Sequence, residues 1–220
     1  MARRTSQRSR KRKRKLPLAF LSYFVSFFWI TSIYSLNLKR EIVILEIHKS
    51  KRVFVSVDFE MEGRLEKPLG IGFPETDFFP LQNFFVQWDG LSLPVERWKA
   101  KPGFTYRIGN LSLPAIHHFY LGPSSLSQHR LLTRYEYQAP QMSGSKSPKG
   151  IYLEYILQTG STWDSWIEEV IFIIRGKDFH CSRLFVLPDS YRGSCTESGE
   201  YLIRLQNIEP KMDFRFILED

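Results

Sequence analysis

Residues 53–61 read Val-Phe-Val-Ser-Val-Asp-Phe-Glu-Met, and this stretch decides the fold class. Val53, Val55, Val57, Phe59 and Met61 alternate with Ser56, Asp58 and Glu60. Successive side chains of a strand point to opposite faces, so period two places the apolar set on a core and the polar set toward water. Upstream, Ile42 to Ile47 is mostly apolar and is separated from this stretch by Lys49-Ser50-Lys51. The two runs read as an antiparallel pair. Downstream, Phe84 to Trp88 is joined by Asp89-Gly90 to Leu91-Ser92-Leu93-Pro94-Val95. Asp-Gly between such runs is a strong hairpin signal, because both turn residues take positive φ. Pro94 has no N–H to give to a ladder, so the hairpin is expected at a sheet edge.

The rest of the chain repeats the pattern. Leu131, Thr133, Tyr135 and Tyr137 share one face, as do Ile151, Leu153, Tyr155 and Leu157. Val170, Phe172 and Ile174 follow, then Leu184 to Leu187, then Tyr201, Ile203 and Leu205. Met212, Phe214, Phe216 and Leu218 close the chain. Beyond residue 36 no apolar 3.6-residue period is sustained, and 18 Phe and 10 Tyr suit half-buried pleated surfaces. The expected fold is all-β, an antiparallel β-sandwich preceded by one N-terminal hydrophobic helix. Its expected parts are a sandwich region at 37–140 and a second β region at 151–220. Between them, 138–150 (QAPQMSGSKSPKG) reads as a flexible loop or linker, either inside one sandwich or between two β-halves.

The leader shapes the functional reading. Residues 1–15 hold nine Lys or Arg and no acid, and residues 16–36 form an uncharged run. A basic start before an apolar stretch is the pattern of a signal peptide or membrane anchor. As a helix, 21 residues span roughly 31 Å at about 1.5 Å each, close to the thickness of a bilayer core. The run therefore reads either as a cleaved signal or as a retained transmembrane helix. The formal charge of +8 belongs to this leader: beyond residue 15 the chain has 22 basic and 23 acidic residues. The expected partner of the leader is a membrane, with the β region on the extracytoplasmic side by the positive-inside rule. A nucleic-acid partner is not expected. Export also favours a disulfide between Cys181 and Cys195, the only two cysteines.

Catalytic signatures are missing. There is no G-x-S-x-G, and Ser143-Gly144-Ser145-Lys146 lacks the companion motifs that would give its S-x-x-K pattern meaning. Gly70-Ile71-Gly72 lacks the third glycine of a dinucleotide site. His117 and His118 are adjacent, so a strand sends them to opposite faces and they are poorly placed to share a metal. No metal or cofactor is expected. Trp163 and Trp166 read as a candidate sugar-stacking surface, with Asp164, Glu168 and Glu169 nearby as the carboxylates a glycan-acting enzyme would need.

Two stretches carry a resemblance. Ile71-Gly72-Phe73-Pro74-Glu75 running on to Asn83–Gly90 resembles the "GFP … F-x-V-x-x-(D/N)-G" core of a family of exported bacterial proteins known only as a domain of unknown function. Leu153 to Trp163 resembles that family's "Y-x-L-x-T-G-x-x-W" segment. The resemblance covers most of residues 41–175 and implies a signal peptide and a β-rich body. It implies no activity and no functional residue. The chain departs from that family in its shorter length and strongly basic leader. The expected function is an exported or membrane-anchored envelope protein, a non-catalytic binding or structural β-domain able to engage a protein at a sheet edge. The alternatives are an envelope glycan-acting enzyme and a basic-tailed nucleic-acid-binding protein.

Overall fold

The computed structural model describes residues 36–76, 79–101, 105–108, 111–144, 147–157, 166–209 and 213–219. Seventeen strands are defined among them. The first nine are β1 (Asn37–Ile47), β2 (Arg52–Glu62), β3 (Leu69–Glu75), β4 (Gln82–Trp88), β5 (Leu91–Ser92), β6 (Glu96–Lys99), β7 (Tyr106–Ile108), β8 (Leu111–Leu113) and β9 (Ala115–Leu121). The rest are β10 (Gln128–Gln138), β11 (Gln141–Gly144), β12 (Ser147–Tyr155), β13 (Ile167–Gly176), β14 (Leu184–Leu187), β15 (Ser194–Cys195), β16 (Tyr201–Ile208) and β17 (Phe214–Glu219). Two single-turn 3-10 helices, Cys181–Arg183 and Asp189–Tyr191, flank β14. The all-β expectation holds. No helix among the described residues is long and apolar enough to cross a membrane. The expected N-terminal helix falls in residues that, apart from Leu36, lie outside the described ones.

The strands form an eight-stranded sheet in the order β15-β16-β13-β1-β2-β10-β4-β5, a four-stranded sheet β11-β12-β17-β14, a three-stranded sheet β3-β9-β6 and the pair β7-β8. The expected pairing of β1 with β2 is present and antiparallel, with Val43 opposite Val57. The Asp-Gly hairpin is present as well: Asp89 and Gly90 take φ of 46° and 85°, and β5 lies at the sheet edge.

Two expectations need correction. The large sheet is mixed rather than antiparallel, because β1 runs parallel to β13, with Val43 beside Phe172 and Ile44 beside Ile173. Both strands are central and carry apolar residues on both faces, as in EIVILEI and VIFII, and strands of that composition suit a parallel contact. The second correction concerns 138–150. Instead of a loop, the described residues of this stretch end β10 at Gln138 and supply β11 and the start of β12, which pair antiparallel. Gly150 reads as a breaker in sequence, but here it permits close approach: a Cβ on it would lie 2.1 Å from the Leu218 carbonyl oxygen of β17.

One face of the large sheet is covered by the two smaller sheets. Phe172 on β13 packs against Phe214 on β17 at 4.3 Å between ring centroids and edge-on to Tyr155 on β12 at 5.5 Å. Phe59 on β2 meets Phe73 on β3 at 6.1 Å, and Phe73 stacks on Phe119 of β9 at 6.0 Å. These residues belong to one continuous core that includes Val43, Leu45, Val57 and Leu153. The described residues belong to a single compact unit.

Candidate functional site

Alternation within the large sheet leaves its second face outside the core. Cross-strand register assembles that face row by row. Ile173, Ile44, Ser56, Arg134 and Phe85 lie side by side on β13, β1, β2, β10 and β4. The next row holds Arg175, Glu46, Phe54 and Glu136. On the other side lie Ile171, Ile42, Asp58 and Leu132. The isoleucines are partly buried by their neighbours, while Phe54 and Phe85 stay 41% and 37% exposed.

Charges ring this apolar centre, and nearly all are paired. Arg130 Nε donates to Asp58 Oδ1 at 2.8 Å, and Arg204 Nε to Glu169 Oε1 at 2.6 Å. Arg175 Nη2 donates to Glu46 Oε2 at 3.2 Å, and Arg40 pairs with Glu60. Arg52 lies 3.5 Å from Glu136 Oε2. Among the described residues, Arg134 is the exception on this face, with neither hydrogen bond nor ion pair. It borders a hollow of about 590 Å3 that is also lined by Ile44, Phe54, Ser56, Asn83 and Phe85, and by Glu46, Glu136 and Arg175, whose charges are already paired. Small-molecule sites typically measure about 300–1,000 Å3 and combine apolar walls with a few polar groups. An unpaired guanidinium offers five donors in a planar fork, matched to a carboxylate or similar anion.

Three buried polar clusters lie on the core side. On the three-stranded sheet, Glu75 of β3 accepts from Arg97 Nε of β6 at 2.8 Å and lies 3.0 Å from His117 Nε2 of β9. One carboxylate thus ties three strands. Burial works to raise the Glu75 pKa, but Arg97 and His117 outweigh it and hold the group below its ordinary value. Burial lowers the pKa of His117, partly offset by Glu75. The second cluster joins the Asp89 turn to β10. His129 Nδ1 lies 2.8 Å from Asp89 Oδ2, its ring stacks on Trp88 at 4.6 Å, and its Nε2 is buried without a hydrogen-bond partner. The third is Glu41, which lies on the core face of β1 and accepts a hydrogen bond from the Tyr155 hydroxyl. Burial pushes its pKa up to about 7 despite that bond. Tyr155 also lines a cavity of about 30 Å3 beside Tyr135 and Tyr137, large enough for a water molecule or two. These clusters knit strands together, and the cavity is too small for a ligand.

The sequence-derived candidates fare unequally. The Cys181–Cys195 disulfide is formed, with Cα atoms 5.8 Å apart. It joins the turn before β14, in the four-stranded sheet, to β15 at the edge of the eight-stranded one. Trp166 precedes β13 and is 58% exposed. Trp163 and Asp164 lie outside the described residues. Glu168 is engaged by Lys39 Nζ at 2.6 Å and Glu169 by Arg204, so both serve the charge network of the sheet. Among the described residues no cluster of His, Cys, Asp and Glu is disposed to hold a metal ion. The edge strand β5 has only two residues, which gives an added strand little ladder to join. Sequence reasoning missed Arg134. Its alternation with Thr133 and Tyr135 marked an outward face shared with Leu132 and Glu136, but which carboxylates reach that face depends on strand order.

No family model matches the chain, and no curated protein matches it by sequence. Solved structures do. The chain is similar to a candidate nutrient-binding protein from Legionella pneumophila, with 13% identity over 84% of this chain and 68% of that one, at a TM-score of 0.59. It is also similar to yeast LTA4 hydrolase in complex with bestatin, with 15% identity over 93% of this chain and 33% of that one, at a TM-score of 0.51. The chain therefore spans about a third of the hydrolase. At these identities what is shared is the layered β fold, and it is by this fold alone that the chain is placed among known proteins.

Proposed function

We propose that the chain is a non-catalytic binding domain working outside the cytoplasm, which holds a small anionic ligand with an apolar stem on the open face of its eight-stranded sheet. The observation that carries this reading is Arg134: an unpaired guanidinium beside a hollow walled by Phe54, Phe85 and Ile44. A ligand carboxylate would accept from Arg134, and the stem would cover the two phenyl rings. Bonds to a charged group contribute about 1.5–3 kcal/mol, and covering apolar surface adds roughly 25 cal/mol per Å2. The disulfide accords with an oxidising compartment, and the basic leader with export. The likeness to a candidate nutrient-binding protein is compatible with a binding role.

The test is calorimetric titration of the full chain with octanoate, with octanol as the uncharged control. Octanoate is expected to bind more tightly than octanol, and Arg134→Gln should weaken octanoate about tenfold or more while leaving octanol and unfolding stability unchanged. Equal binding of octanoate to both proteins, or none to either, overturns the ligand assignment. Cell fractionation with intact-mass analysis of the mature N-terminus tests the compartment; recovery in the cytoplasm overturns that part.

A further inference from the structure

The three-stranded sheet also has two faces, and the outer one gathers aromatic rings. Its inner face carries Phe73, Phe119 and the Glu75–Arg97–His117 cluster. On its outer face β9 presents His118 and Tyr120, β6 presents Glu96 and Trp98, and β3 presents Gly70 and Gly72. The rings are organised. Trp98 stacks on His118 with centroids 3.8 Å apart and planes 15° apart, and Tyr120 stands edge-on to His118 at 4.6 Å and 81°. Together they make an aromatic corner. Trp98 Nε1 donates to Glu96 Oε2 at 2.9 Å, which fixes the indole and satisfies its polar edge. The glycines keep the neighbouring strand bare: a Cβ on Gly70 would lie 2.9 Å from the His118 ring and 3.3 Å from that of Tyr120. Trp98 and Tyr120 nonetheless remain 39% and 58% exposed.

We infer that this corner is a carbohydrate-binding site for an uncharged sugar. The C–H face of a pyranose ring is apolar and stacks on an indole or phenol ring, while its hydroxyls need acceptors and donors at the rim. Among the described residues, Tyr120 has a hydroxyl without a partner and Glu96 a carboxylate oxygen without one, and both stand beside the rings. The Glu96 charge disfavours phosphate-bearing ligands such as nucleic acids, and three rings are too few for the roughly 800 Å2 per partner of a stable protein interface. Glu75 holds all three strands together beneath the corner, so the rings are preorganised. The inference is independent of the Arg134 hollow, which lies on the other sheet.

The test is titration of the full chain with chitotetraose and cellotetraose, followed by calorimetry and tryptophan fluorescence, with a single-stranded oligonucleotide in parallel. At least one sugar is expected to bind. Trp98→Ala and Tyr120→Ala should each weaken it about tenfold or more, and Trp98→Phe should recover part of the loss. Arg134→Gln should leave sugar binding unchanged. Unfolding curves of the variants separate lost binding from lost fold. Absence of sugar binding, binding that survives both alanine substitutions, or preference for the oligonucleotide overturns the inference.

Discussion

Glu41 is one acid that the fold would hold more easily without its charge. Its folded pKa of about 7 stands above the ordinary 4.5, so between these values the unfolded chain gives up a proton that the folded one keeps. Stability must then fall as pH rises through that window, by on the order of 3 kcal/mol in all. Glu41→Gln should flatten the decline and leave the protein more stable above pH 7, with little change at pH 4; urea unfolding at pH 4 and pH 8 checks this. Asp89 contributes through two hydrogen bonds. It holds the buried ring of His129 and accepts from the Arg130 N–H at 2.9 Å. Asp89→Ala strips both bonds and should cost about 2–3 kcal/mol, whereas Asp89→Asn keeps an acceptor and tolerates the positive φ, so denaturation midpoints should separate the two. At this scale the sequence was partly legible. Asp89-Gly90 announced a turn, but nothing near it announced that His129, 40 residues on, would lean on the same carboxylate.

Among the elements, legibility followed the strength of alternation. β2, β10 and β16 were plain because each strand has one wet and one dry face. The β11–β12 hairpin was hidden because Ser, Gly and Pro are read as loop formers, while its need for glycine comes from β17, some 70 residues away. Gly150→Ala drives a methyl group into the Leu218 carbonyl oxygen and should cost about 2 kcal/mol or more, read by thermal melting. The aromatic corner was illegible for a related reason: Gly70, Trp98 and Tyr120 share a face only because β3 and β6 both pair with β9.

For the whole molecule, the decisive question was how strands become sheets, and local pattern tells which way a residue faces but not which strand lies beside it. The disulfide is one constraint that was foreseeable, and it works at this scale, because it ties the 3-10 turn leading into the four-stranded sheet to the edge of the eight-stranded one. Closing a loop with a sequence separation of 14 stabilises by roughly 3 kcal/mol, so Cys181→Ser combined with Cys195→Ser, or reduction of the native chain, should lower unfolding stability by about that amount. The parallel union of β1 with β13 was not foreseeable from either strand alone. It joins Glu46 to Arg175, 129 residues apart. A ribosome adding about 5–20 residues per second makes β13 roughly 6–26 seconds after β1. Throughout that interval one flank of a central strand with apolar residues on both faces has no native neighbour. The nascent chain is therefore slow to close and open to mispairing, and a chaperone that shields β1 would gain most from acting before residue 167 is made.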